Sequence, residues 1–226
     1  MSQTTTGIRA ALSRPKVYDL CQRLMGGPVG RTDFAHHMIR ASAGARILDI
    51  GCGTGDILAY LPSDVDYSGY DVSPEYIAAA HRRFGRRAQF TCGIVDGPQV
   101  LALPAFDIVV ASAVLHHLDD ETVSDLMQTV RLALRDGGRF VSIDPALVPD
   151  QNPVARFLIE HDRGLNVRDP EGYLSLVRPA FSDVRGVLRH RAWIPYTHWM
   201  MEGTATGPLT AGRRPESPGH SKRSDG

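Results

Sequence analysis

The sequence predicts an α/β fold, a seven-stranded, mostly parallel sheet with helices on both faces. Three observations carry this. Short β-rich runs alternate with helical stretches along most of the chain. The run Phe106-Asp-Ile-Val-Val-Ala111 is apolar enough to be a strand covered on both sides. A glycine loop, Gly51-Cys-Gly-Thr-Gly55, follows an early strand and opens a helix.

Taken in order, residues 1–14 are small and polar and read as a flexible N-terminus. From Pro15, the residues Val17, Leu20, Cys21 and Leu24 share one helical face until Gly26-Gly27-Pro28 stops it. A second helix is expected over 31–42. Arg46-Ile-Leu-Asp-Ile50 is the first strand, and the helix after the glycine loop ends near Pro62. Tyr67-Ser-Gly-Tyr70 is the second strand. Ser73 then caps a helix with Pro74 at its first position, running to Phe84-Gly85. Strands follow at 89–91 and 106–111. Asp119-Asp-Glu121 opens a helix with Arg131 and Arg135 towards its end, the charge order the helix dipole favours, and Gly137-Gly138 stops it. Residues 139–144 are the fifth strand.

Residues 145–169 break the rhythm, with Pro145, Pro149 and Pro153 ahead of a helical stretch at 154–161. They read as an insertion at the sheet edge. A helix at 170–177 and strands at 184–190 and 197–202 complete a domain over 15–202. From Gly203 the chain is mostly Gly, Pro, Ser, Thr and charge, so 203–226 is expected to be a disordered tail.

A chain of 226 residues has room for one such domain. Lys+Arg and Asp+Glu number 25 each, so the formal net charge is zero, which disfavours a broad nucleic-acid-binding surface. Cys21, Cys52 and Cys92 are scattered without metal-ligand spacing and read as free thiols of a reducing compartment. No basic-then-apolar leader is evident, and no apolar run approaches the ~20 residues that span a bilayer. A soluble cytoplasmic protein is expected.

The glycine loop departs from a dinucleotide fingerprint. Where G-x-G-x-x-G needs its third glycine the sequence has Asp56, whose carboxylate would repel a pyrophosphate. Asp49 ends the strand before the loop, placed to attract a cation. Asp71 ends the next strand, where a carboxylate can accept bonds from both ribose hydroxyls. An adenosine carrying a zwitterionic tail and a sulfonium suits this set better than a dinucleotide.

These residues resemble a known family. Ile47-Leu-Asp-Ile-Gly-Cys-Gly-Thr-Gly-Asp56 is similar to the first motif of the class I S-adenosylmethionine (SAM)-dependent methyltransferases, whose fold is Rossmann-like. Tyr70-Asp-Val-Ser73 resembles their second motif, and the stretch from Phe106 to His116-His117-Leu118 their fourth. Leu134-Arg-Asp-Gly-Gly-Arg-Phe140 resembles the turn into their fifth strand. The likeness covers about residues 44–145.

The resemblance implies that Asp49, Gly51 and Gly53 hold the methionine portion of SAM, Asp71 the ribose, and Val72 one face of the adenine. Ser112 would lie near the methyl group. The family often has Gly-Asp after its third strand, whereas this chain reads Gly93-Ile-Val-Asp96, so the adenine amino group would be met either by Asp96 from two positions downstream or by backbone groups alone. Tyr18, on the first helix, is a candidate cap over the cofactor.

Methyl transfer is an in-line displacement at carbon, so the protein chiefly aligns the acceptor and excludes water. A protonated acceptor would need a base, and His116 and His117, after the fourth strand, are the candidates. The insertion and the last strands would supply acceptor contacts: His161, Arg163, Arg168 and His198, with the arginines suited to anionic or polyhydroxylated groups. No cluster has metal-site spacing, so a metal-independent reaction on an oxygen or carbon of a small organic acceptor is expected. The alternatives are a SAM-binding protein without methyl transfer, such as a cyclase, regulator or partner subunit, an NAD-dependent oxidoreductase, and a nucleic-acid or protein methyltransferase, which the neutral charge disfavours.

Overall fold

The computed structural model describes residues 27–160, 165–190 and 196–207. The expected helix at 15–24 with Tyr18, the acceptor candidates His161 and Arg163, and residues 208–226 lie outside the described residues.

The sheet has seven strands: β1 (Arg46–Ile50), β2 (Asp66–Asp71), β3 (Gln89–Cys92), β4 (Phe106–Ser112), β5 (Leu134–Pro145), β6 (Asp183–His190) and β7 (Thr197–Thr204). Their order is β3-β2-β1-β4-β5-β7-β6. All lie parallel except β7, which runs antiparallel to both β5 and β6. The chain moves outward from β1 in both directions, so the order reverses between β1 and β4. In open α/β sheets the crevice at the carboxyl ends of the strands, at such a reversal, is where ligands bind.

The helices are α1 (Gly27–Phe34), α2 (Pro74–Phe84), α3 (Gly97–Ala102), α4 (Asp120–Ala133), α5 (Pro153–Glu160) and α6 (Pro170–Val177). Two apolar clusters lie on the two faces of the sheet. Val123, Met127 and Val130 of α4 and Tyr173 and Val177 of α6 pack with Val109, Phe140 and Met201. Phe34, Ile39, Ile77 and Ala80 pack on the other face with Ile47, Tyr67, Val110 and Val141. Strands covered on both faces read as unbroken apolar runs rather than alternating ones, which is why β4 was legible.

Local chemistry sets the helix starts. Ser73 accepts from the Tyr76 amide at 3.3 Å ahead of Pro74. Asp119 accepts from Thr122 at 2.9 Å, and Asp169 from Gly172 at 2.7 Å. Each cap satisfies an amide the helix leaves unpaired, worth about 1 kcal/mol. Arg40, in the left-handed region at φ 46°, ends a wide π-helical turn, Ala35–Ile39, that continues α1. The helix expected over 31–42 is therefore shifted towards its N-terminal side.

Two boundaries differ from expectation. The chain leaves α4 at Ala133 and enters β5 directly, because the buried Leu134 pairs with Phe106. Gly137-Gly138 is an irregularity inside β5, not the helix stop, and Arg135 pairs with Asp107 on β4. At the other end, β7 runs through Thr204 and Ala205 is fully buried. Ala205 accepts from the Gly137 amide and donates to the Gly138 carbonyl, and Arg131, buried at the end of α4, donates to the Gly207 carbonyl. Residues 203–207 thus belong to the domain, and the tail expected from Gly203 does not begin there.

Candidate cofactor and acceptor site

The loop between β1 and a tight 3-10 turn at Asp56–Tyr60 sits at the carboxyl edge of the sheet, next to the order reversal. Gly51, Gly53 and Gly55 have φ of 70°, 55° and 72°, which a side chain tolerates poorly. The Gly51 and Cys52 amides donate to the Tyr70 carbonyl at 2.8 and 3.0 Å, fixing the loop to β2. A Cβ on Gly51 would lie 2.6 Å from Val114, whereas one on Gly53 would meet nothing within 4 Å among the described residues. The loop therefore leans on the segment after β4 at Gly51 and faces open space at Gly53.

Asp49 lies beneath this loop, 1% exposed. Its Oδ2 accepts the Tyr67 hydroxyl, while its Oδ1 has no hydrogen-bond partner among the described residues. Burial pushes the carboxyl up to about 7, with the Tyr67 bond opposing and the Asp71 charge adding to the rise. Asp71, at the end of β2, accepts from the Gly53 amide at 2.9 Å and from the Ser73 amide at 2.8 Å, one on each oxygen. Val72 and Ile94, after β2 and β3, are large apolar side chains left 49% and 67% exposed at this edge. Asp96 caps α3 by accepting from Gln99 at 2.8 Å.

Asp56 stands differently from expectation. It pairs with Arg31 at 2.8 Å and with Arg83, so its charge is balanced by two guanidinium groups and does not by itself exclude a phosphate.

On the other side of the reversal, Ser112 ends β4 and Ala113 adopts φ 57° while its amide donates to the Ile143 carbonyl at 2.7 Å. A 3-10 turn, Leu115–His117, follows. His116 is buried, and Asp144, near the end of β5, takes both its backbone amide (3.2 Å) and its ring Nδ1 (2.8 Å) on one oxygen, Oδ1. An ionised Asp144 accepts both bonds, which places the hydrogen on Nδ1 and makes Nε2 the basic nitrogen. Burial pushes the Asp144 carboxyl above its ordinary range, against the bonds from His116. His117 packs its ring on His116, centroids 4.0 Å apart. Sequence reasoning missed Asp144. Its signal was a lone carboxylate closing an apolar strand directly before Pro145.

Arg168 does not present a cation to an acceptor. A guanidinium has five N–H groups, and here they go to Asp120 (2.9 and 2.6 Å), Leu115 (3.0 Å), Asn166 (3.0 Å) and Leu118 (2.8 Å). The acceptor role expected for Arg168 is replaced by a structural one. His198 lies on β7 opposite Pro145, its ring 4.8 Å from that of Tyr196. An open groove of about 590 Å³ lined by residues including His36, Arg40 and Tyr60 contains none of these groups.

Comparison with known proteins follows the same outline. Residues 48–140 match a methyltransferase domain family. The chain is 32% identical over 124 residues to 27-O-demethylrifamycin SV methyltransferase of Amycolatopsis mediterranei, covering 52% of this chain and 45% of that protein. It is 38% identical over 112 residues to polyketide synthase ThaG of Burkholderia thailandensis, covering 43% of this chain and 2% of that one. The chain thus spans half or less of these two relatives. The S-adenosylmethionine-dependent methyltransferase SibL shares the fold, with a TM-score of 0.66 at 17% identity over 88% of this chain and 61% of that one. The part of the chain that carries the glycine loop, residues 48–140, is thus similar to a methyltransferase domain, and the fold is shared with a SAM-dependent enzyme.

Proposed function

We propose that this chain moves the sulfonium methyl of SAM onto an oxygen or carbon of a small organic acceptor, without a metal ion. The observation that carries the reading is the unpartnered Oδ1 of Asp49, buried under the glycine loop at the order reversal. A buried carboxylate oxygen without a donor is costly unless a ligand supplies one. SAM carries both an ammonium and a sulfonium, and the open face of Gly53 leaves room for it.

In this reading Asp49, Gly51 and Gly53 hold the methionine portion. Asp71, which keeps acceptor capacity beyond its two amide bonds, takes the ribose hydroxyls. Val72 covers one adenine face, Asp96 meets the adenine amino group, and Ser112 lies beside the methyl. SAM supplies an activated methyl and its own leaving group. The chain's residues align the acceptor, keep water out and move a proton.

His116 Nε2, with Nδ1–H fixed by Asp144, takes the proton of a hydroxyl or acidic carbon, and His117 shapes the pocket beside it. His198 contributes to the acceptor wall. Among the described residues no three His, Cys, Asp or Glu side chains converge as metal ligands would. No helix among them is long and apolar enough to cross a membrane. A cytoplasmic location is supported by free cysteines, Cys52 buried and Cys92 exposed.

The test is calorimetric titration of the full chain with SAM, S-adenosylhomocysteine and NAD in parallel. Binding of the first two but not the third is expected. Binding of NAD alone, or of none, overturns the reading. Methyl-labelled SAM with a panel of phenols and 1,3-diketones then tests transfer and gives the acceptor for the kinetic work below.

A further inference from the structure

We infer that Arg168 is a positioning residue that holds the His116–His117 turn closed, and so fixes the ring orientation of His116. The inference rests on the reading above for the use made of His116, though not for the geometry.

The carbonyls of Leu115 and Leu118 bracket the two histidines, and one guanidinium takes both, at 3.0 and 2.8 Å. The same group reaches Asp120 on the first turn of α4, while Asn166 offers its amide to the His116 carbonyl at 3.0 Å. Arg168 is itself fixed. Its carbonyl accepts from Leu147 at 3.2 Å, it pairs with Ala146 just after β5, and its guanidinium carbon lies 5.7 Å from the Tyr173 ring. The insertion, the end of β5 and the β4–α4 connection therefore meet at one side chain. Asp144 holds His116 from the β5 side and Arg168 holds its turn from the insertion side.

An ordinary surface ion pair does not describe this arrangement. The Arg168 side chain is 11% exposed and that of Asp120 76%, and three of the five bonds go to backbone carbonyls. Such a fork needs a planar, five-donor group. Lysine keeps the charge but has three donors on one nitrogen, so it cannot span carbonyls at both ends of a turn.

The experiment compares the full-length wild type with Arg168→Lys by ring-nitrogen NMR of labelled histidine, with His116 assigned through His116→Gln. SAM is titrated calorimetrically into the same samples. The wild type should show His116 as a single Nδ1–H tautomer. Arg168→Lys should shift or broaden the His116 ring-nitrogen signals while SAM affinity stays within about twofold, because Asp49, Gly51, Gly53 and Asp71, which hold the methionine portion and the ribose in this reading, lie on or directly after β1 and at the end of β2. An unchanged His116 spectrum in folded Arg168→Lys overturns the proposal, and conserved charge excludes a mere field effect. Should that variant not fold, Asp120→Ala decides. It releases two of the five donors from an exposed partner and should move the same signals by less, and no movement overturns the proposal. Failure of the wild type to bind SAM would instead count against the proposed function, leaving the spectral result to judge Arg168.

Discussion

Tyr67 and Asp49 face each other in a dry position between β2 and β1, the Tyr67 hydroxyl donating to Asp49 Oδ2 and leaving Oδ1 bare beneath the glycine loop. Both side chains are at most 1% exposed. The pair therefore offers one unmet acceptor next to the place where a cofactor is expected.

A pH dependence follows. The Asp49 carboxyl is raised by burial from 3.8 to about 7, so the folded chain holds its proton more tightly than the unfolded chain does. The contribution to stability is full below 3.8 and is lost as pH rises through about 7. A cationic ligand at Oδ1 favours the carboxylate, so binding releases a proton below that pH. SAM affinity should rise by up to about tenfold per pH unit and level off above neutrality. Tyr67→Phe removes the bond that lowers the pKa and should move the plateau upward. Calorimetry in two buffers of different ionisation enthalpy measures the proton directly. A flat affinity between about pH 5.5 and 8 would exclude Asp49 as the cation's partner.

Asp71 makes a second case. Each of its oxygens already accepts one backbone amide, from Gly53 or Ser73, so the side chain both shapes the loop and faces the cofactor. Losing a charged hydrogen-bond acceptor costs about 1.5–3 kcal/mol, or roughly 10–150-fold in affinity. Asp71→Ala should lower S-adenosylhomocysteine affinity by that factor. Wild-type affinity would remove the ribose assignment.

The C-terminal boundary gives a stability prediction free of any functional reading. Thr204 pairs with both Arg139 and Asp183, and Gly137, Gly138 and Arg131 bond to residues 205–207. A chain ending at 203 abandons these backbone groups and the buried Ala205. It should melt several degrees below a chain ending at 207, at roughly 2–4 °C per kcal/mol lost for a domain of this size. Equal melting temperatures would show that this segment contributes nothing.

What the sequence made legible was local. Ser73-Pro74 and Asp119 announced their helices because a cap and its helix are neighbours in the chain. The glycine loop announced its backbone because positive φ selects glycine. The loss of the helix stop at Gly137-Gly138 has a long-range cause, since Leu134 is drawn into β5 by Phe106, 28 residues away. The six-residue α3 was too short for periodicity to show, although Asp96 and Pro98 carry its cap signal. Arg168 was misread for a similar reason. An arginine in a polar insertion looks available until its four acceptors, three of them 48–53 positions distant, are brought to it by the fold.

The His116–Asp144 pair yields the prediction that bears most directly on chemistry. Asp144 Oδ1 tethers both the amide and the ring Nδ1 of His116, and its second oxygen is buried with no partner among the described residues. If the two residues act as a unit, Asp144→Asn and His116→Gln should each lower kcat by about 100-fold or more, the usual share of a general base. Each should leave SAM affinity within about twofold. The double variant should be scarcely worse than the poorer single one, because a base and the group that orients it are not independent. Rate measurements on the four proteins, with the acceptor found by the panel above, decide this. Multiplicative losses would mean that the two side chains act separately. Full turnover in His116→Gln would mean that the acceptor arrives already deprotonated, and that the buried pair serves the fold alone.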